Sequence, residues 1–254
     1  MTHSEIAILF AAALLAGVMN AVAGGGTIIT FPALLAFGMP AIQANATSTF
    51  ALLVGIAGSF YGYRSHLPAA APWLKRFAIP SVAGGLAGAW LLTVTPEEIF
   101  SRMVPFLLLF ATLLFMAQGP VKRWLGTGNT GTSPHLLIAS IAGQFLVAVY
   151  GGYFGAGIGI LMLAAFGLMG LSRIHEMNAL KTILAAGINI VATLYFILAG
   201  LIQWPQAWVM TAGAALGYFT GAHYAQRIPE KAVRHLVTLI GLGITAILFY
   251  RQFF

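Results

Sequence analysis

Two glycine-rich stretches interrupt the apolar sequence where the backbone could offer hydrogen-bond donors to a ligand. The first consists of Gly24, Gly25, Gly26 and Thr27, and the second of Gly151, Gly152, Gly155 and Gly157. Because glycine permits positive φ, the chain can turn sharply and leave N–H groups free at the start of the next helix. Such N–H groups and the positive end of the helix dipole bind anions. The breaks therefore predict an anion site, and the alternative is that small residues only allow close helix packing.

Polar side chains follow each break within an otherwise apolar segment. Those after the first break are Asn45, Ser48 and Thr49, and those after the second are Asn178, Lys181, Thr182 and Asn189. Each set has the spacing of one helical face. Polar groups inside a membrane are costly unless they find partners or face a cavity. The pattern predicts a substrate site lined from both halves of the chain, and hydrogen bonding between helices is the alternative.

Among these residues, Lys181 points most directly to an anion as the ligand. The other lysines and arginines fall in predicted loops or at segment ends, whereas Lys181 lies about one turn inside a helix. A buried ammonium would be a counter-charge for an anion. Snorkelling of the side chain to the interface stays open, because Arg173, His175 and Glu176 indicate that the water boundary is close.

The composition excludes a soluble enzyme. The 254 residues are 60% hydrophobic and 7% charged, with a mean hydropathy of +0.93, whereas soluble domains are about 25% charged. Cysteine and aspartate are absent, which removes disulfides, thiol nucleophiles and paired-aspartate chemistry. No His-Glu-x-x-His motif is present. We therefore predict no enzymatic activity, no cofactor and no metal. We also predict no nucleic-acid partner, because the net charge of +7 is explained by basic residues that set the membrane topology from the loops.

Ten apolar segments are separated by clusters of charge, proline and glycine. We predict helices at 5–22, 27–38, 40–63, 77–95, 101–117, 135–151, 156–169, 176–200, 207–224 and 233–250. The segments 27–38 and 156–169 are too short to cross a bilayer, which takes about 20 residues. The predicted fold is an all-α polytopic membrane protein with about eight full transmembrane helices and two short glycine-broken half-helices, in a single domain over 1–254.

The two halves of the chain resemble each other in sequence. Several short matches recur in the same order, and the distance along the chain between the two members of each pair is nearly constant. The pairs are Phe37-Gly38 with Phe166-Gly167, Asn45-Ala46 with Asn178-Ala179, Gly84 and Gly88 with Gly217 and Gly221, and Pro96-Glu97 with Pro229-Glu230. We predict a first repeat at 5–117, a linker at 118–134 and a second repeat at 135–252. Glycine and alanine align easily in any membrane helix, but the paired Asn-Ala and Pro-Glu matches are harder to attribute to chance.

Charge predicts how the repeats are oriented, because lysine and arginine prefer cytoplasmic loops. If each half has five segments, one face collects nine basic residues and the other face two. The nine are Arg64, Lys75, Arg76, Lys122, Arg123, Arg173, Arg227, Lys231 and Arg234, and the two are Arg102 and Arg251. Four crossings in each half would give about six against five. The bias favours inverted repeats with both termini periplasmic and the linker cytoplasmic, an arrangement typical of secondary transporters.

The duplicated pattern resembles the TauE/SafE sulfite exporter family. It consists of Ala23-Gly24-Gly25-Gly26, Phe31-Pro32-Ala33-Leu34 and Asn45-Ala46-Thr47-Ser48, with a second copy from Gly151-Gly152 to Asn178-Ala179 and Lys181. The resemblance covers about residues 7 to 250. It implies a bacterial inner-membrane protein that exports sulfite or small organosulfonates, with sites at the two breaks and the asparagines that follow them. Leu161 stands where the first copy has Pro32, so the two half-helices need not be equivalent.

The residues and the resemblance together predict an anion carrier that works by alternating access. The expected ligands of the anion are the breaks, represented by Gly24, Gly25, Gly26, Thr27, Gly152, Gly155 and Gly157, and the side chains of Asn45, Ser48, Asn178 and Lys181. An anion channel with the same donors is the alternative, and a structural scaffold is a third class. The expected partners are a small anion and the lipid bilayer. A homodimer, the coupling ion and the choice of anion stay open.

Overall fold

The structure is a computed structural model that describes residues 1–22, 25–53, 55, 67–125, 134–168, 171, 174–224 and 230–253. Within these ranges all regular secondary structure is helical, as the composition predicts. The ten helices are α1 (His3–Val22), α2 (Thr27–Ala36), α3 (Ala41–Leu53), α4 (Leu67–Val94), α5 (Glu97–Leu125), α6 (Pro134–Tyr153), α7 (Ile158–Leu168), α8 (Ile174–Leu198), α9 (Trp204–Tyr224) and α10 (Glu230–Phe253).

Four of the described helices contain a stretch long and apolar enough to cross a membrane. These stretches are His3–Ala21, Ala71–Val94, Glu97–Ala117 and Glu176–Leu198, and shorter apolar stretches occupy Thr27–Ala36, Ile138–Tyr153 and Thr238–Phe253. The chain is therefore consistent with a polytopic membrane protein. The count of eight full spans stays a prediction.

Two helices extend furthest beyond their predicted bounds. The helix expected at 77–95 begins at Leu67, so residues 67–76, which we expected to lie between helices, are also helical. The helix expected at 101–117 runs from Glu97 to Leu125 and extends into the predicted linker at 118–134. Polar residues such as Lys and Arg are good helix formers, and Pro120 removes one backbone hydrogen bond without ending the helix.

The packing of the two halves corresponds element by element. α1 and α6 each contain 20 residues and lead through a break into short helices of 10 and 11 residues. α1 packs against α9 as α6 packs against α4, and α3 packs against α9 as α8 packs against α4. Glycines allow the close approach, since a Cβ on Gly217 would overlap α1 and one on Gly84 would overlap α6. This correspondence is what a duplicated fold would produce, and the repeat and its inversion stay predictions.

Hydrogen bonds place the starts of several helices at one end of the molecule. Near the start of α9, Gln206 Nε2 donates to Glu5 Oε1 of α1 at 3.3 Å, and Gln203 Nε2 donates to Gln43 Oε1 of α3 at 2.9 Å. The Glu97 carboxylate at the start of α5 accepts the backbone N–H groups of Ala41 and, at 3.2 Å, Ile42, where α3 begins. A carboxylate at this position satisfies unpaired donors and opposes the helix dipole. The glycine breaks lie deeper, toward the other ends of these helices.

Candidate functional site

A cavity of about 230 Å³ lies between the two glycine breaks. Both halves of the chain line it: the first contributes the ends of α1 and α3 and the first break, and the second contributes the second break, α7, α8 and α9. Of the predicted site residues, the described ones that line it are Gly25, Gly26, Thr27, Gly155, Gly157 and Lys181. We call this space the break cavity. It has room for a small polyatomic anion together with water, since a water molecule occupies about 30 Å³ in the liquid.

The first break turns at Gly25, which has a φ of +91°. A side chain at this φ would be strained, and a Cβ would also lie 3.0 Å from the ring of Phe115. The N–H of the next residue, Gly26, donates to Asn20 Oδ1 at 2.7 Å, and Asn20 Nδ2 donates to the Tyr218 hydroxyl at 2.7 Å. The Gly26 N–H, which we expected to bind the anion, therefore has a protein acceptor. α2 begins at Thr27, so its N-terminus faces the cavity.

The second break turns at Gly155 and Gly157, with φ values of +78° and +77°. The Gly155 N–H donates to the Tyr150 carbonyl at 3.1 Å, and α7 begins directly afterwards at Ile158. The N-terminus of α7 therefore lies at the cavity wall, as that of α2 does. Gly152, in contrast, packs against another helix, because a Cβ there would overlap the Gly85 carbonyl of α4. It lies outside the cavity lining and lets α6 approach α4 closely.

Lys181 lies in the cavity wall on α8, seven residues after Ile174, or roughly 10 Å along the helix at about 1.5 Å per residue. Its stem passes over Gly159 of α7, where an added Cβ would lie 3.2 Å from Lys181 Cδ. Lys181 Nζ donates to Asn178 Oδ1 at 3.1 Å. Thr182 and Asn189 of the same helix also line the cavity, whereas Asn178 lies outside its lining.

The electrostatics of the break cavity favour an anion. Each helix N-terminus carries about half a positive charge, and both α2 and α7 begin at its wall. Lys181 adds a full positive charge, and no carboxylate is among the described residues of the lining. Within the described ranges, no group of three His, Cys, Asp or Glu residues could hold a metal ion.

Two predicted binding residues lie in a buried layer beside the cavity. Asn45 is 1% exposed, and its Nδ2 donates to the Tyr153 carbonyl at 3.0 Å. Ser48 is fully buried, and its hydroxyl lies 2.6 Å from that of Thr30. Neither residue lines the break cavity in this conformation. Gly24, the remaining predicted site residue, lies outside the described residues.

Sequence reasoning missed Asn20 and Tyr218, which line the cavity and hold the first break. Asn20 carried a usable signal, because it is a polar residue in an apolar helix a few positions before a glycine break. We applied that criterion only to the helices that follow the breaks. Tyr218 carried no such signal, because tyrosine is common in membrane helices.

Comparisons with known proteins identify related sequences over nearly the whole chain. Residues 9–248 match the family described as Sulfite exporter TauE/SafE. A probable membrane transporter protein of Haemophilus influenzae is 31% identical over 250 residues, covering 97% of this chain and 95% of the relative. Probable membrane transporter proteins of Sinorhizobium and Escherichia coli are each 28% identical, covering 94% and 96% of this chain and 90% of each relative.

No solved structure is significantly similar to this one. The family match covers nearly the whole chain. The relatives are named as probable membrane transporters, and they match this chain over almost their full length. The apolar helices and these names together identify a multi-pass membrane transporter. The chain therefore belongs to the TauE/SafE sulfite exporter family.

Proposed function

We propose that this protein is a secondary transporter that exports a small sulfur-containing anion, either sulfite or an organosulfonate, across the bacterial inner membrane. One observation carries the proposal: both glycine breaks and Lys181 meet in a single cavity between the two halves of the chain. The printed name of the family supports an anion of this class. A site where the halves of a duplicated fold meet is characteristic of secondary transporters.

The charges around the cavity support binding of one or two negative charges. Two helix N-termini contribute about half a unit each, and Lys181 contributes one unit. An anion about 4 Å from an ammonium gains roughly 4 kcal/mol at an effective dielectric constant of about 20. That gain offsets part of the cost of dehydrating the anion, and the remaining donors are backbone N–H groups and the hydroxyl and amide groups of Thr182 and Asn189.

We assign different tasks to the predicted site residues. Lys181 contacts the anion directly, together with the backbone N–H groups of Gly25, Thr27 and Gly157. The N–H groups of Gly26 and Gly155 bond to Asn20 and to the Tyr150 carbonyl, so these two glycines shape the breaks. Asn178 is a positioning residue, because its Oδ1 accepts the hydrogen bond from Lys181 Nζ. Gly152 supports the site by letting α6 pack closely on α4.

The proposed mechanism is alternating access of two inverted repeats, 5–117 and 135–252. In this topology both termini are periplasmic and the linker at 118–134 is cytoplasmic, as the nine-to-two distribution of basic residues favours. The corresponding packing of α1 on α9 and of α6 on α4 supports two halves that rock about the cavity. An anion channel of the same architecture is the alternative, since it would use the same donors.

Flux of radiolabelled sulfite through proteoliposomes tests the proposal. We expect uptake that saturates with concentration and counterflow driven by unlabelled sulfite trapped inside. The counterflow should persist when the membrane potential is held at zero, which separates a carrier from a channel. Thermal unfolding of the purified protein with sulfite, sulfate, thiosulfate, sulfoacetate, taurine and acetate identifies the ligand, because a ligand of the folded state raises its stability. Flux equal to that of protein-free liposomes, with no anion shifting the unfolding temperature, would refute the proposal.

A further inference from the structure

A second cavity, of about 200 Å³, lies at the end of the molecule where α1, α3 and α9 begin. Three carboxamides and one carboxylate line it, contributed by Gln43, Gln203, Gln206 and Glu5. We call it the glutamine cavity. The Glu5 carboxylate also accepts the Thr2 N–H at 3.4 Å while the Glu5 N–H donates to the Thr2 hydroxyl at 3.2 Å, so this carboxylate belongs partly to the cap of α1.

The glutamine cavity and the break cavity lie at opposite ends of the same three helices. On α1, Glu5 lines one and Asn20 the other; on α9, Gln206 lines one and Tyr218 the other. At about 1.5 Å per residue these pairs are separated by roughly 22 Å and 18 Å along their helices. α3 likewise contributes its first turn to one cavity and its last turn to the other. No described residue lines both.

The layer between the two cavities is polar, although it is completely buried. Thr30, Thr47 and Ser48 each have no exposed surface. The Thr30 hydroxyl donates to the Gly26 carbonyl at 3.2 Å and lies 2.6 Å from the Ser48 hydroxyl. On the other side of the layer, the Gln203 N–H donates to the Thr47 hydroxyl at 3.1 Å. Polar groups thus follow one another from a residue of the break cavity to a residue of the glutamine cavity.

One acceptor in this layer is unsatisfied. Asn45 Nδ2 donates to the Tyr153 carbonyl, but in the part of the chain that the structure describes Asn45 Oδ1 has no donor and no solvent contact. A buried acceptor without a donor is costly. The rings of Phe31, which follows Thr30 in the chain, and Phe154, which follows Tyr153, pack edge to face at 5.4 Å between centroids. Costly polar groups inside a membrane protein mark ion and substrate pathways.

We infer that the glutamine cavity is the second mouth of the translocation path, and that the Thr30–Ser48 and Asn45–Tyr153 contacts are its closed gate. The inference rests on the proposed transport function. It assigns Asn45 and Ser48 to the gate, where they meet the anion during passage and are buried when the gate is closed. When the gate opens, Asn45 Nδ2 releases the Tyr153 carbonyl and donates to the passing anion instead. Asn45 Oδ1, which has no donor among the described residues of the closed gate, then accepts a hydrogen bond from water that accompanies the anion.

A disulfide across the gate tests this directly, because the native chain has no cysteine. The hydroxyl oxygens of Thr30 and Ser48 lie 2.6 Å apart, near the roughly 2.05 Å separation of bonded sulfurs. We expect the oxidised Thr30→Cys, Ser48→Cys protein to transport sulfite at least tenfold more slowly than its reduced form, with dithiothreitol restoring the rate. Sulfite should still raise its unfolding temperature, because the break cavity remains open. Each single-cysteine variant is the matched control.

Labelling of the glutamine cavity is the second test and does not depend on the double variant. A membrane-impermeant methanethiosulfonate reagent should modify Gln43→Cys and lower transport at least tenfold by filling the mouth. Glu98→Cys is the control, because Glu98 is exposed at the start of α5, at the same end of the molecule and outside the cavity.

The outcomes separate the gate from the transport function itself. Unmodified protein that does not move sulfite and is stabilised by no anion of the panel would refute the proposed function. Unmodified protein that transports, with a crosslinked gate that transports equally fast, would overturn the gate. If the reduced double variant is inactive, the labelling of Gln43→Cys is the deciding test. A fully labelled Gln43→Cys protein that transports at the unlabelled rate would overturn the inference that the glutamine cavity is part of the translocation path.

Discussion

Replacing Lys181 with methionine should weaken anion binding without unfolding the protein. Methionine keeps most of the apolar stem that lies over Gly159 and removes the ammonium that faces the cavity. It also removes the hydrogen bond from Nζ to Asn178 Oδ1. The change therefore removes the positive charge of the site and this one hydrogen bond.

The size of the effect follows from the kind of contact that is lost. A hydrogen bond to a charged group contributes about 1.5–3 kcal/mol. Since about 1.4 kcal/mol corresponds to a factor of ten in Kd, Lys181→Met should raise the Kd for sulfite by about 10- to 150-fold. The two helix N-termini remain, so weak binding should persist. Lys181→Arg should retain more affinity than Lys181→Met, because it keeps the charge.

The Kd is obtained by titrating sulfite while following the unfolding temperature, and sulfite flux is measured in parallel. Lys75→Met is the matched control, because Lys75 is an exposed lysine of α4 outside the cavity. It should leave both the Kd and the flux unchanged. Equal Kd values for the native protein and Lys181→Met would refute the reasoning that this ammonium is the counter-charge of the anion.

Four further substitutions test residues that support the site and the helices around it. Asn20→Leu leaves the Gly26 N–H of the first break without its acceptor, so we expect a loss of about 1–3 kcal/mol in unfolding free energy. Tyr218→Phe removes the outer hydrogen bond from Asn20 and a long one to the Leu52 carbonyl but keeps the acceptor of the Gly26 N–H, so it should cost less, and an equal loss would contradict this order. Gly159→Ala places a methyl 3.2 Å from the stem of the cavity lysine, so sulfite binding should weaken a few-fold at nearly constant unfolding temperature. Glu97→Gln weakens the cap of α3 and should cost about 0.3–1 kcal/mol, measured by thermal unfolding. The control is Glu98→Gln, which also removes a carboxylate from the first turn of α5 but leaves the start of α3 intact and should cost less.

The turns of the site could be predicted from particular residues. Gly25, Gly155 and Gly157 adopt the positive φ that we expected of the breaks, because glycine is the residue that reaches this region without strain. Lys181 lines the cavity as expected of a cation within a helix. φ freedom and the cost of a buried charge are properties of a residue and its immediate segment, so a sequence can indicate such positions. That these residues bind an anion stays a prediction.

The predictions about individual partners were less complete. The N–H of Gly26 is occupied by Asn20, which is held in turn by Tyr218. Asn45 and Ser48 were expected to line the site and instead lie in the buried layer beside it. Spacing along α3 shows which residues share a face, but it does not show whether that face meets a cavity or another helix.

The sequence alone was sufficient for the class of protein, the approximate helices and the two breaks, because hydropathy and glycine content act over one segment at a time. Tertiary packing was needed to show that the breaks enclose one cavity and that a polar layer separates it from a second. The hydrogen bond between Asn20 and Tyr218 joins residues 198 positions apart. Contacts at such separations depend on how all the helices between them pack, and no local pattern encodes that arrangement.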